Sequence, residues 1–216
     1  VTLKNPNLWF LDLSMNELTT IQVDTTTTPH LQQLGLSYNN LHTLDVASLD
    51  ELRVLSITNN YFDFSTLPPI LPQYSVYNYS GQAMLNVALQ DEKIIDLSSQ
   101  AMVGDSVTVF TWYLGEPTFN YDTYEWEGEV LEEGDEYTLE NGVTTFLKRF
   151  DDVICLLTNP AFPDVYLYTN YFDVNQSMGL ENVSEEGKEA HKYLHDGVLY
   201  IERNGKTYTV MGKQVR

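Results

Sequence analysis

Three segments of this chain hold the same residue types at the same places: LWFLDLSMNEL at 8–18, LQQLGLSYNNL at 31–41 and LRVLSITNNYF at 52–62. Aligned, they give Leu8, Leu11, Leu13, Asn16 and Leu18, then Leu31, Leu34, Leu36, Asn39 and Leu41, then Leu52, Leu55, Ile57, Asn60 and Phe62. The copies lie 23 and 21 residues apart. A unit this short cannot bury its own apolar face, so the copies have to stack on one another to share a core.

The pattern L-x-x-L-x-L-x-x-N-x-L resembles the leucine-rich repeat family. The resemblance implies a solenoid over residues 1–72, with short parallel strands near 10–14, 33–37 and 54–58, leucines inward. In it Asn16, Asn39 and Asn60 form a ladder, each side-chain amide satisfying backbone groups that would otherwise be buried without partners. Ile21 and Val23, then Leu44 and Val46, close the back of each coil. VTLKNPN reads as the tail of a preceding coil, with Val1 standing where Val23 and Val46 stand. The chain is therefore expected to be an excised portion of a longer protein.

On the strand face the outward columns are Phe10, Gln33 and Val54; Asp12, Gly35 and Ser56; Ser14, Ser37 and Thr58; and Met15, Tyr38 and Asn59. They hold no ordered set of acid, base and nucleophile. They mix small polar groups with apolar side chains, as contact surfaces do. The candidate binding residues are Phe10, Asp12, Met15, Gln33, Tyr38 and Arg53. The competing reading is that the apolar members of this set simply touch an upstream repeat.

TLPPILPQY at 66–74 packs three prolines together and is expected to end the repeat pattern. Beyond it, segments such as SVTVFTWYL, VTTFLKR, DVICLLT and VYLYTNYFDV are β-branched and aromatic, separated by turn-prone EEGD, ENG and NPAFPD. They predict an antiparallel sandwich over 73–176. This region resembles the immunoglobulin-like domains that follow leucine-rich repeats in surface proteins of Bacteroidetes and, more distantly, internalins. In that comparison Trp112 takes the core tryptophan's place and Cys155 that of the second disulfide cysteine. Leu97 is nearest to the absent first cysteine, and Val153 stands where a corner tyrosine would be. Cys155 reads as a small buried core residue, with no histidine near it in sequence.

Residues 177–216 change character again, running through NVSEEGKEAHKYL to VLYIERNGKTYTVMGKQVR. Strand, Asn204-Gly205 turn and strand spell a β-hairpin. The segment resembles the C-terminal sorting tails of exported Bacteroidetes proteins; the alternative is an edge hairpin that completes the sandwich. The overall expectation is thus a mainly β protein: repeat solenoid, immunoglobulin-like sandwich, C-terminal hairpin.

With 31 acidic against 11 basic residues, a formal charge of −20 repels phosphate backbones and anionic lipid surfaces, which argues against nucleic acid as a partner. No run reaches the roughly 18 apolar residues of a membrane-spanning helix. The single cysteine fits either a reducing compartment or an exported bacterial protein. Among chemical motifs, His191 and His195 in HKYLH lack the glutamate of a zinc protease and a third ligand, and read as a solvated connector. The acidic runs at 132–136 and 151–152 show neither a calcium-loop pattern nor an apolar setting that would raise a carboxyl pKa. There is no G-x-S-x-G, phosphate loop or C-x-x-C. No cofactor or metal is expected, and no enzymatic activity. The expected function is an extracellular or cell-surface binding protein whose strand face recognises a protein or a glycan; the alternatives are a stalk for recognition repeats upstream and an accessory part of a glycan-degrading enzyme.

Overall fold

Short x-L-x-L-x runs form strands because alternate leucines leave the pleat on one side and can be buried together. In the computed structural model, which describes residues 4–174, 190–195, 198–203, 206–209 and 215, this produces β1 (Phe10–Asp12), β2 (Gln33–Gly35), β3 (Val54–Ser56) and β4 (Val76–Asn78). They pair in parallel, in the order β1-β2-β3-β4. Register is one copy on the next: Leu11 beside Leu34, Leu34 beside Leu55, and Leu55 beside Tyr77. Leu34, Leu36, Leu55 and Ile57 are fully buried, whereas Leu8, Leu11 and Leu13 at the β1 edge are half-exposed.

The parallel sheet does not stop at residue 72. YSVYNYSGQAM at 74–84 is a fourth copy in which Tyr74, Tyr77 and Tyr79 replace the leucines and Gln82 the asparagine. The three prolines before it lie in the segment between β3 and β4, outside any strand, where no ladder hydrogen bond is needed and proline's missing N–H costs nothing. Tyr77 Oη donates to the Pro68 carbonyl at 2.7 Å, pinning this segment to the sheet.

The remaining strands of the first unit are β5 (Leu89–Gln90), β6 (Ile94–Asp96), β7 (Met102–Val103), β8 (Ser106–Val107), β9 (Val109–Asn120), β10 (Glu125–Val130), β11 (Tyr137–Glu140), β12 (Val143–Phe146), β13 (Phe150–Thr158), β14 (Leu167–Tyr168) and β15 (Phe172–Val174). A five-stranded antiparallel sheet runs β10-β9-β13-β14, with β15 also on β13; a four-stranded one runs β11-β12-β6-β5. Trp112 and Cys155 sit opposite each other across β9 and β13 and are fully buried. Trp112 packs edge-on against Phe146 of the second sheet, with centroids 4.9 Å apart. Val153 and Leu97 are buried in the same core, which runs without a break from Val23 to Val174. The expected boundary at 72 thus falls inside the parallel sheet, between β3 and β4, and the core runs across it.

Residues 177–216 are a second compact unit. Its strands β16 (Ala190–His195), β17 (Val198–Arg203) and β18 (Lys206–Thr209) form their own antiparallel sheet. The segment read as a solvated connector at HKYLH is thus a strand, because its alternating pattern pairs along β17, Tyr193 beside Tyr200 and Leu194 beside Leu199. The expected hairpin is β17–β18, with Arg203 beside Lys206. Its Asn204-Gly205 turn, the NVSEEGKE stretch and the tail glycine Gly212 lie outside the described residues.

Candidate binding face

The parallel register lines up outward side chains from successive copies. Phe10, Gln33, Val54 and Val76 share one column and Asp12, Gly35, Ser56 and Asn78 the next. Asp12 Oδ1 accepts the Ser14 N–H at 2.9 Å and lies over Gly35, where an added Cβ would come within 2.7 Å of it. Glycine at 35 thus makes room for the carboxylate. The Ser14 hydroxyl, then its backbone N–H, hold the Asp12 carboxyl below the usual range.

Beyond the strand ends stands the column of Met15, Tyr38, Asn59 and Gly81. All four have positive φ: 60°, 57°, 54° and 67°. Glycine adopts this left-handed conformation freely, but a side chain there costs about 1–2 kcal/mol. Asparagine tolerates this region better than most side chains, as at position 59; methionine and tyrosine do not share that tolerance. Met15 is nevertheless 79% exposed and Tyr38 54% exposed, so core burial does not explain these residues.

The asparagine ladder holds this column rigid. Asn39 donates to the Leu13 carbonyl at 2.9 Å and to the Leu36 carbonyl at 3.0 Å, and accepts from the Leu18 N–H at 3.0 Å. Asn60 repeats the arrangement with the Leu36 and Ile57 carbonyls and the Leu41 N–H. Gln82 continues it, donating to the Ile57 and Tyr79 carbonyls and accepting from the Phe62 N–H. The Asn16 side chain makes only the local bonds, to the Leu13 and Ser14 carbonyls, among the described residues. With two strand-wise neighbours pinned per copy, the side chains at 38 and 59 are presented on a stiff backbone.

Of the candidate residues, Phe10, Asp12 and Gln33 share the strand face, and Met15 and Tyr38 are neighbours in the left-handed column. Arg53 is not with Tyr38. It enters β3 from the opposite end of the strands, and its Nη1 donates to the Asp50 and Leu52 carbonyls at 2.7 and 3.1 Å. Its charge is spent on capping its own loop. Two exposed aromatics were missed: Trp9, 6.0 Å from the Phe10 ring, and Tyr61, stacked on His42 at 5.1 Å and 25°. The signal for Tyr61 was its place directly after a ladder asparagine, as Asn40 follows Asn39. Glu17, Tyr38, Asn40, Asn59, Tyr61 and Gly81 are among the residues that line a shallow groove of about 510 Å³ beside the ladder.

The other motifs are occupied structurally. In the acidic run at 132–136, Asp135 meets Lys148 Nζ at 2.6 Å, and Glu136 accepts the Glu132 N–H at 2.9 Å. The Asp135 contact raises the Lys148 pKa. Asp151 faces Arg149 at 3.4 Å, and Asp152, in the register break of β13, donates its N–H to Asp173. Burial pushes the Cys155 thiol well up. Among the described residues no three His, Cys, Asp or Glu side chains are placed to hold a metal ion, and no helix is long and apolar enough to cross a membrane.

The chain matches no protein-family model, and no curated protein matches it in sequence.

Proposed function

We propose that this is an exported or cell-surface binding protein, built on a leucine-rich repeat solenoid and an immunoglobulin-like sandwich, that recognises its partner through the strand face and the column at the strand ends. The observation that carries this reading is the stacked pair of non-glycine left-handed residues, Met15 and Tyr38, both exposed. Backbone strain kept where no packing requires it is a mark of a functional surface. Phe10 and Trp9 extend the apolar part of the face, and Asp12, Gln33 and Asn59 supply polar groups between them, the mixed composition of a recognition surface. The protein acts by holding its partner and carries out no reaction on it. The sorting-like tail at 177–216 fits the same reading.

The test is capture from the surface fraction of the native cells by immobilised protein, compared with a Phe10→Ala/Met15→Ala/Tyr38→Ala variant. Loss of the captured partner in the variant, with the thermal transition unchanged, is expected. Equal capture by the two proteins would remove the strand face as the site.

A further inference from the structure

The groove beside the asparagine ladder has a chemistry distinct from that of the strand face. Tyr38 and Tyr61 come from adjacent coils and present partly open rings, Tyr61 being 45% exposed. One face of Tyr61 is fixed by the His42 ring at 5.1 Å. The backbone of Tyr38 is held in its left-handed conformation by the N–H that donates to the Thr58 carbonyl at 2.9 Å. The Tyr61 ring and the Tyr38 backbone are therefore in place before anything binds.

Around them stand the polar groups. The phenol hydroxyls of Tyr38 and Tyr61, the amides of Asn40 and Asn59 and the carboxylate of Glu17 make no hydrogen bond to any described residue. The ladder amides behind them, Asn39 and Asn60, are fully engaged with backbone groups. The groove thus offers neutral donors and acceptors in number, a single negative charge and no cation. It is a shallow, open groove of about 510 Å³, along which an extended ligand can lie without being enclosed.

This combination selects among ligand classes. An anionic group would meet Glu17 and the field of a chain carrying −20 with no cation to receive it. A purely apolar segment would strip water from two amides, two hydroxyls and a carboxylate without replacing those hydrogen bonds. A neutral sugar chain satisfies both demands: its hydroxyls pair with amides, phenols and the carboxylate, and the C–H face of a ring lies flat on a tyrosine. We infer that this groove binds a neutral oligosaccharide, with Tyr61 and Tyr38 as stacking platforms and Asn40, Asn59 and Glu17 as hydrogen-bonding groups. The inference rests on the repeat sheet being a binding surface and names the ligand class of one end of it.

Affinity electrophoresis of the full chain through gels holding a neutral β-glucan, a mannan or chitin oligomers, with heparin as the anionic probe, tests it. Retardation by at least one neutral glycan and none by heparin is expected. Tyr61→Ala and Tyr38→Ala should each weaken that binding about tenfold or more, as loss of an aromatic anchor does, whereas Phe10→Ala should leave it unchanged. Asn40→Ser and Tyr61→Phe, at positions without left-handed strain, should each weaken it several-fold and keep the test decisive if an alanine variant unfolds. Absence of retardation by every neutral glycan, equal retardation of wild type and the groove variants, or binding led by heparin would each overturn the assignment. Loss of cell-surface capture in the strand-face variant alongside no glycan binding would defeat the sugar assignment alone. Equal capture by a Phe10→Ala/Met15→Ala variant, which spares the groove, together with Tyr61-dependent glycan binding would confine recognition to the groove.

Discussion

Trp112 Nε1 donates a 3.0 Å hydrogen bond to Thr144 Oγ1, joining two buried side chains from different sheets. The indole is fully enclosed, so this hydroxyl is its acceptor within the core. Thr144→Val keeps the shape and leaves the N–H unpaired, at an expected cost of about 1–3 kcal/mol. Thr144→Ser keeps the acceptor and should lose only about 1 kcal/mol for the missing methyl. Urea denaturation of both variants measures this; a valine variant as stable as wild type would show that the bond contributes nothing net.

The ladder should be graded by depth. Asn60 is buried and its side chain serves four backbone groups from two copies, while Asn16 is exposed and its side chain makes only local bonds among the described residues. Asn60→Ala orphans the Leu41 N–H and shares of the Leu36 and Ile57 carbonyls, for an expected loss of about 2–4 kcal/mol, against less than about 1 kcal/mol for Asn16→Ala. Equal losses would mean that the ladder does not act as a buried network.

Position 38 should separate stability from recognition. Tyr38→Gly relieves the left-handed strain but frees the unfolded chain, so the fold should stay within about 1 kcal/mol of wild type. Tyr38→Val places a β-branched residue at φ 57° and should destabilise by about 1–2 kcal/mol. Both should lose binding. A valine variant melting at the wild-type temperature would contradict the backbone assignment.

Acid should weaken the turn after β6. The Ser98 hydroxyl at 2.6 Å and its N–H at 3.0 Å hold the Asp96 carboxyl below its usual value. A lowered folded-state pKa contributes stability above the ordinary aspartate value of about 3.9 and loses it as pH falls through and below that point. The gap in melting temperature between wild type and Asp96→Asn should therefore be open at pH 7 and shrink towards pH 3. A gap independent of pH would exclude the charge as its source.

The spacing of leucines and asparagines determined by itself that the first part of the chain stacks in parallel strands with a buried amide ladder, because a short amphipathic unit has no other way to bury one face and satisfy its turns. Composition and alternation likewise determined a mainly β protein, and the immunoglobulin-like resemblance implied core positions for Trp112 and Cys155, both of which are buried. The fourth copy was hidden in plain sight: tyrosines at 74, 77 and 79 fill the leucine positions and pack on one another, with Tyr79 packing on Phe162 at a centroid distance of 5.5 Å. Only the tertiary structure decided that the prolines at 68, 69 and 72 fall between two paired strands, that HKYLH pairs as a strand, and that Arg53 caps its own loop. Each depends on which partner lies across the fold, and local pattern carries no record of that. The same holds for the groove, since Tyr38 and Tyr61 line it together only when β3 is laid beside β2.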